Sequence, residues 1–252
     1  MKSREFQLTH QGIGIRVWHY SPENHPRGLP PAVIFCHGIP GSKPNPDDRG
    51  YLPLVEELTA DGYSCFLFNF RGCGLSGGNI DMSGWIFDLS CIVEKVYDTP
   101  KIDPASIHCI GFSAGGVIAT HYASYNKKIA SLLLMATPCR FSDILPEDPQ
   151  LLRDHFMELG LIRNKDFPPD LRRWYDDFTR LNPDLNIPFL SPRPVHIVHG
   201  DSDETVPVSH AHLLYEAAIK PKKITILKGA AHQLRKDERT LDIIRGWLKE
   251  VA

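Results

Sequence analysis

Long apolar runs are missing from this chain of 252 residues, and none approaches the roughly 18 consecutive apolar residues of a membrane-spanning helix. The first eight residues also lack the apolar core of a secretory signal peptide. We therefore expect a soluble, cytoplasmic protein that has no integral membrane association.

Charge of one sign is not in excess either, because 28 Lys and Arg stand against 30 Asp and Glu, for a formal net charge of -2. Binding to a phosphate backbone needs a clear surplus of basic residues, so nucleic acid is not an expected partner. Apolar residues at 42% and charged residues at 23% are ordinary for globular proteins. At this length we expect one domain with a small insertion.

Metal-binding and disulfide spacings are also missing. The six cysteines show no C-x-x-C spacing, and Cys36, Cys65 and Cys109 lie in apolar, strand-like runs, so we expect buried, reduced thiols. Twelve histidines are present without an H-E-x-x-H motif. We therefore expect neither a metal nor a cofactor.

What the sequence does contain is a regular alternation of short apolar runs with helical patterns. Two alternating segments, 5–9 and 14–20, predict an antiparallel hairpin that ends at the proline-rich stretch 21–31. The continuous apolar runs that follow are typical of strands buried on both faces of a parallel sheet. They predict strands at 32–36, 64–70, 107–110, 131–136, 195–198 and 223–227, and helices at 51–61, 82–97, 114–125, 208–219 and 236–251. This order predicts an α/β fold with a doubly wound, mostly parallel sheet.

The interval between the apolar runs 131–136 and 195–198 breaks this alternation, because about 60 residues are too many for a simple crossover. Helical patterns occur within it at 148–159 and 170–181. We interpret residues 139–192 as a small helical cap inserted over the carboxyl ends of the strands. The core then consists of residues 1–138 and 193–252.

The most informative motif is the G-x-S-x-G pentapeptide at 111–115, which lies between a predicted strand and a predicted helix. Its glycines fit a turn so tight that side chains at Gly111 and Gly115 would clash with neighbouring backbone. The turn holds Ser113 in a strained conformation and exposes its Oγ at the carboxyl end of the strand. This pattern is typical of a nucleophile elbow and predicts that Ser113 attacks acyl groups.

A base and an acid are available to activate this serine. A serine hydroxyl needs a base within hydrogen-bond reach, and the base needs an acceptor that fixes its tautomer and stabilises its charge. His232 follows the last predicted strand, and Asp203 follows the strand before it. Loops at the carboxyl ends of parallel strands meet at one edge of the sheet, so we expect Ser113, Asp203 and His232 to converge there.

These residues resemble those of α/β-hydrolases. Within that superfamily the chain is similar to the serine aminopeptidase-like group with its compact esterases and lipases, such as bacterial feruloyl and cinnamoyl esterases and monoacylglycerol lipases. The chain order Ser, acid, His is that of the superfamily. The motifs that carry the resemblance are Phe35-Cys36-His37-Gly38, the turn at 71–76, the pentapeptide at 111–115, Gly200-x-x-Asp203-x-x-Val206-Pro207 and His232. The resemblance implies the α/β-hydrolase fold.

The residues beside these motifs receive roles as well. The oxyanion needs two backbone N–H donors, and Ala114 provides one directly after the nucleophile, where the helix dipole adds to its effect. The resemblance implies that Ile39 provides the other. We interpret His37 as a residue that fixes its loop and Arg71 as one that stabilises its turn. Asn69 stands where the family often has aspartate, and we expect that difference to affect loop packing and not chemistry.

Alternative acids and bases lie close by in the sequence. Asp201 and Glu204 share the loop of Asp203, and the family spacing of two residues between glycine and acid selects Asp203. His210 and His212 are the alternatives to the histidine after the last strand. Both fall in a predicted helix, where we expect surface residues.

Together the motifs predict a serine hydrolase that cleaves small-molecule carboxylic esters through an acyl-enzyme on Ser113. Peptide or amide hydrolysis, thioester hydrolysis and acyl transfer stay open with the same triad. A non-catalytic binding protein built on a hydrolase scaffold is the alternative from another class. A homodimer also stays open.

The predicted cap carries residues that bear on specificity. Trp174, Tyr175 and Phe178 are candidates to line an acyl or aromatic pocket, and the alternative is that they pack the cap against the core. An aminopeptidase would need an acidic cluster that holds the α-amino group of its substrate. The candidates for this cluster are Glu147, Asp148, Asp176 and Asp177.

Overall fold

Eight strands form one mixed sheet in the computed structural model, which describes residues 1–23, 28–43, 45 and 47–251. The strands are β1 (Lys2–His10), β2 (Ile13–Ser21), β3 (Ala32–Cys36), β4 (Ser64–Phe68), β5 (Ile107–Phe112), β6 (Ser131–Met135), β7 (Val195–Gly200) and β8 (Lys222–Leu227). Their spatial order is β1-β2-β4-β3-β5-β6-β7-β8. The pairs β1–β2 and β2–β4 are antiparallel and the others are parallel, which confirms the predicted hairpin and sheet. Residues 24–27 of the proline-rich stretch lie outside the described residues.

Helices cover both faces of this sheet. They are α1 (Leu52–Ala60), α2 (Met82–Tyr97), α3 (Ala114–Tyr125), α4 (Pro149–Glu158), α5 (Leu171–Thr179), α6 (Pro183–Asn186), α7 (Ser209–Ala217) and α8 (Arg239–Val251). The helices α2, α3 and α7 bury apolar side chains with Ile34 and Cys109 on one face, and α1 and α8 do so with Val33 and Ile110 on the other. Successive side chains of a strand point to opposite faces, so each apolar run contributes to both layers of the core.

The ends of several elements differ from the predicted ones. β4 ends at Phe68 instead of residue 70, because the N–H of Phe70 bonds Nε2 of His37 at 3.0 Å instead of a neighbouring strand. The last helix begins at Arg239 instead of residue 236, because Leu234–Lys236 form a separate 3-10 turn. β5 extends to Phe112, directly before the serine of the pentapeptide.

The segment between β6 and β7 contains α4, α5 and α6. The side chains of Asp148 and Asp170 cap α4 and α5 by accepting the N–H of Gln150 and of Arg173. Arg163 holds the segment to the loop after β4, donating to the carbonyls of Ser76 at 2.6 Å and of Gly74 at 3.0 Å. The helices predicted here are therefore present, and the division into a core and a cap at 139–192 stays a prediction.

None of the helices in the described part of the chain combines the length and the apolar character that crossing a membrane requires.

Candidate active site

The candidate active site lies where the direction of the sheet connections reverses. β3 lies between β4 and β5 in the sheet. The chain passes from β3 to β4 on one side of β3, and it then crosses to β5 on the other side of β3. Ligands of open α/β sheets bind in the crevice that opens at such a reversal, outside the carboxyl ends of the strands. Gly38 follows β3 and Ser113 follows β5, so both residues lie at this crevice.

The pentapeptide forms a tight turn between β5 and α3. Ser113 has φ 51° and ψ −125°, a conformation that non-glycine residues rarely adopt. A Cβ at Gly115 would come within 2.2 Å of the carbonyl oxygen of Cys36, and one at Gly111 within 2.4 Å of Cα of Gly116. The N–H of Ser113 also bonds the carbonyl of Met135 at 2.8 Å. Neighbouring backbone on both sides therefore holds the serine in its strained conformation.

A hydrogen-bonded chain joins Ser113, His232 and Asp203. Nε2 of His232 is 3.0 Å from Oγ of Ser113, and Nδ1 of His232 is 2.7 Å from Oδ2 of Asp203. The Asp203 side chain is fully buried, whereas that of His232 is 22% exposed. A carboxylate that accepts a hydrogen bond from Nδ1–H keeps the proton on Nδ1 and leaves Nε2 free to accept the serine proton, which is the arrangement that an activated serine requires.

Asp203 remains ionised because of its hydrogen bonds. Burial raises the pKa of Asp203, but hydrogen bonds from His199, His232 and the N–H of Val206 lower it more strongly. The net result is a pKa well below the usual range for an aspartate. Oδ1 accepts the N–H groups of Thr205 at 2.9 Å and of Val206 at 2.8 Å, which fixes the orientation of the carboxylate.

The acid loop and the histidine loop contact each other closely. A Cβ at Gly200 would lie 2.1 Å from the carbonyl oxygen of Ala230, so the backbones meet here without an intervening side chain. Asp201 is exposed, and its Oδ1 accepts the N–H of Gly229 at 2.6 Å. The alternative acid Asp201 thus braces the histidine loop from outside, and Glu204 is exposed as well.

A family model for the alpha/beta hydrolase fold matches residues 31–186 of the chain. The chain belongs to the alpha/beta hydrolase fold family. The uncharacterized protein YfhR of Salmonella typhimurium is 26% identical over 209 residues, which cover 82% of this chain and 66% of that protein. Among solved structures, the alpha/beta hydrolase GrgF from Penicillium sp. sh18 has a TM-score of 0.78 at 21% identity, and the match covers 100% of this chain and 99% of the GrgF chain. Est1E from Butyrivibrio proteoclasticus with ferulic acid bound has a TM-score of 0.71 at 21% identity and covers 97% and 96%.

The residues predicted as oxyanion donors lie beside the turn that carries Ser113. Ala114 is the first residue of α3, so its N–H has no carbonyl of its own helix to bond. Ile39 follows Gly38, where a Cβ would lie 2.8 Å from Cβ of Ser113 and 3.2 Å from the carbonyl oxygen of Phe112. The loop after β3 thus runs directly against the serine, and the donor roles stay predictions.

His37 joins the loops after β3 and β4. Its Nε2 accepts the N–H of Phe70, so the ring proton is on Nδ1, which donates to the carbonyl of Gly38 at 2.7 Å. Burial lowers the pKa of His37 to about 4, although the bond with Gly38 opposes this shift. A neutral imidazole in one fixed tautomer therefore holds the loop in place, as the sequence interpretation expects.

Arg71 and Asn69 make bonds inside the fold. The guanidinium of Arg71 donates to Oδ1 of the fully buried Asp88 at 2.7 Å. Oδ1 of Asn69 accepts the N–H of Leu75 at 3.1 Å. Both contacts stabilise the turn after β4, which agrees with the packing roles expected for them.

One alternative base lies elsewhere than expected. His212 is exposed, but His210 is only 3% exposed, so the expectation of a surface position is wrong for His210. Nδ1 of His210 accepts the N–H of Cys139 at 3.1 Å. The segment that follows β6 covers this part of α7, and nothing in the pattern of α7 itself indicates that cover.

The three aromatic residues predicted to line a pocket are buried. Trp174 donates from Nε1 to the carbonyl of Ile80 at 2.9 Å, and the Tyr175 hydroxyl donates to the carbonyl of Pro146 at 3.0 Å. Phe178 is fully buried and packs edge-on against Trp174 at 5.1 Å between ring centroids. These contacts are packing contacts, and the pocket-lining role stays a prediction.

The acidic residues considered for an amine site have other partners. Asp148 caps α4, and Asp177 accepts the hydroxyl of Ser83 at 3.0 Å. Asp176 pairs with Arg172 at 2.8 Å on its own helix, and Glu147 is exposed. Three of these four acids therefore already have partners within the fold. Across residues 1–23, 28–43, 45 and 47–251, no group of three His, Cys, Asp or Glu side chains could hold a metal ion.

Two contacts of the site have no counterpart in the sequence-based prediction. Arg235 forms a two-pronged ion pair with Asp48, with distances of 2.8 and 2.5 Å, which ties the histidine loop to the loop before α1. This pair holds the pKa of Asp48 well below the ordinary value. His199, fully buried at the end of β7, contacts Asp203. A histidine within a buried strand directly before the acid loop is the sequence signal that could have indicated it.

Proposed function

We propose that the protein is a serine hydrolase that cleaves carboxylic esters through an acyl-enzyme on Ser113. The observation that carries this proposal is the continuous hydrogen-bonded chain from Oγ of Ser113 through His232 to the buried carboxylate of Asp203. A buried, ionised acid holds one tautomer of the imidazole, and that tautomer can accept the serine proton.

The reaction follows from this geometry. His232 removes the proton of Ser113 as Oγ attacks the ester carbonyl, and the N–H groups of Ala114 and Ile39 stabilise the oxyanion. His232 then returns the proton to the departing alcohol, which leaves the acyl group on Ser113. Water, activated by the same histidine, attacks the acyl-enzyme and releases the acid.

Esters are favoured over aminoacyl amides as substrates. An aminopeptidase needs carboxylates that hold a free α-amino group, and three of the four acids considered for this role have other partners within the fold. Asp148 caps a helix and Asp176 pairs with Arg172. Ferulic acid is bound in the structure of the neighbour Est1E, and we therefore include esters of aromatic acids among the substrates to be tested.

Labelling by a fluorophosphonate tests the proposal, since only an activated serine reacts readily with it. We expect the wild-type protein to be labelled at Ser113 and the Ser113→Ala variant to be unlabelled, without turnover, and folded. Ordinary activity in Ser113→Ala would refute the assignment. A panel of p-nitrophenyl esters, hydroxycinnamate esters, thioesters and aminoacyl p-nitroanilides then separates the reaction classes, and faster cleavage of the anilides would contradict ester specificity.

A further inference from the structure

His199, the penultimate residue of β7, is outside the predicted mechanism but in direct contact with its acid. The side chain is fully buried, and Nε2 lies 3.2 Å from Oδ2 of Asp203. The same nitrogen lies 2.9 Å from the carbonyl oxygen of Val206, in the acid loop. His199 therefore contacts both the carboxylate and the loop that carries it.

These two contacts determine the tautomer of His199. A carbonyl oxygen and an ionised carboxylate can only accept hydrogen bonds, so Nε2 must carry the proton and donate to both. Nδ1 is buried and has no hydrogen-bond partner among the described residues, so nothing there holds a proton. The neutral ring with its proton on Nε2 is the form that fits this site.

One oxygen of Asp203 consequently serves two histidines. Oδ2 accepts Nδ1–H of His232 at 2.7 Å and Nε2–H of His199 at 3.2 Å, while Oδ1 is occupied by backbone N–H groups. A carboxylate that accepts several hydrogen bonds has less negative charge to share with each donor. We propose that His199 is a positioning residue that holds Asp203 in place and moderates how strongly Asp203 stabilises the protonated form of His232.

The other ionisable groups near His199 belong to the elements that pack around it. His210 on α7 is buried, and burial lowers its pKa. Asp143 and Arg140 from the segment after β6, and His199 and Asp203 themselves, also act on this imidazole. Within the acid loop, Asp201 is exposed. Asp203 is thus the carboxylate that His199 bonds directly, and the proposal depends on that contact.

Removal of the His199 donor has a definite consequence for catalysis. Without it, Oδ2 bonds His232 alone and stabilises its protonated form more strongly. On the acid side of the pH profile a larger share of His232 is then protonated and cannot accept the serine proton. The acid limb of the activity profile should move to higher pH, and the rate on that limb should fall.

This inference rests on the serine hydrolase function proposed above, and three variants test it. His199→Leu removes the donor, His199→Gln retains an N–H at a similar reach, and His196→Leu is the matched control. His196 is a buried histidine of the same strand, 2% exposed, that bonds Thr225 instead of the triad.

The readout is the rate of fluorophosphonate labelling of Ser113 as a function of pH, which needs no natural substrate. For His199→Leu we expect an acid limb about one pH unit higher, the effect of one hydrogen bond to a charged group, and therefore a labelling rate up to about tenfold lower on that limb. His199→Gln and His196→Leu should retain the wild-type limb. A wild-type limb in His199→Leu, or a Gln variant that behaves like the Leu variant, would overturn the proposal.

A second measurement uses the unaltered protein and covers the case in which His199→Leu does not fold. Long-range ¹⁵N–¹H spectra of histidine-labelled protein should show the proton of His199 on Nε2 at neutral pH. A proton on Nδ1 overturns the proposed contact. If the wild-type protein is not labelled at Ser113, the serine hydrolase function fails instead, while the tautomer of His199 still decides the contact.

Discussion

Replacing Asp203 by Asn should stop the reaction, because the loop fixes which way the new amide faces. Oδ1 of Asp203 accepts the N–H groups of Thr205 and Val206 at 2.9 and 2.8 Å, so the amide oxygen must take that position. The NH₂ group is then forced into the position of Oδ2, against Nδ1 of His232 and Nε2 of His199. An NH₂ group can only donate there, so His232 must keep Nδ1 unprotonated and carry its proton on Nε2.

The magnitude follows from this wrong tautomer. Nε2 of His232 is 3.0 Å from Oγ of Ser113, and once protonated it cannot accept the serine proton. The equivalent exchange in a serine protease triad lowers kcat by about 10⁴-fold. We expect a loss of about 10³- to 10⁴-fold here, which corresponds to about 4–5.5 kcal/mol in the activation barrier. The NH₂ group also meets the N–H of His199, and this donor-to-donor contact should cost a further 1–3 kcal/mol or so of folding stability.

Initial rates of p-nitrophenyl ester hydrolysis, with thermal unfolding in parallel, measure both effects. Asp201→Asn is the matched control, because Asp201 lies in the same loop but is exposed and accepts hydrogen bonds from Ser202 and Gly229 instead of from the triad. Its activity should stay within about twofold of wild type, as for an ordinary surface substitution. An Asp203→Asn variant that keeps more than about a tenth of the wild-type rate while folded would refute the reasoning. A larger loss in Asp201→Asn than in Asp203→Asn would assign the acid to Asp201.

Three further outcomes follow from buried side chains. Arg71→Met should lower the free energy of unfolding by about 3–5 kcal/mol because it leaves the buried Asp88 unpaired. Urea unfolding measures this loss, and a double variant with Asp88→Leu that recovers none of it would contradict the explanation. Burial lowers the pKa values of His108 and His196 to about 4, so between the unfolded-state value near 6.5 and about pH 4 the unfolded chain gains their protons before the folded protein does. The free energy of unfolding should therefore fall as the pH falls through this range, by up to about 1.4 kcal/mol per pH unit for each histidine. Replacing both histidines by Gln should make the urea midpoint depend less on pH, and an unchanged slope would reject this. Trp174→Ala should cost about 3–5 kcal/mol of stability, and unchanged relative kcat/KM values across an ester panel would rule out a pocket-lining role.

The strands were predictable because their burial leaves a direct trace in the sequence. Val33 and Ile34 face opposite layers of the core, so a strand between two helical layers must be apolar at every position. The end of β4 has no such trace, since it is set by a bond from Phe70 to His37, a residue 33 positions away. Contacts that are distant in the sequence decide where an element stops, whereas the local pattern decides that it exists.

The buried position of His210 has the same kind of cause. The pattern around it in α7 is that of a half-exposed helix, and the side chain is covered only because the backbone after β6 returns and bonds it through the N–H of Cys139. The local pattern of α7 contains no information about the segment that covers it. The segment after β6 supplies both the cover and the hydrogen bond, so a polar residue that the pattern places at the surface is buried.

The acid loop shows how the motif spacing distinguishes Asp203 from its two acidic neighbours. Gly200 is required because the backbone of Ala230 passes within contact distance, and three residues later the chain has turned so that the Asp203 side chain is buried. The N–H of Val206 then binds Oδ1 and its carbonyl binds His199, so one residue fixes the acid and the histidine behind it. The spacing of the motif therefore reflects a single hydrogen-bonded unit, which Val206 forms with Asp203 and His199. His199 lies one residue before that motif, and its part in the unit becomes visible only when the loop is folded back onto the end of β7.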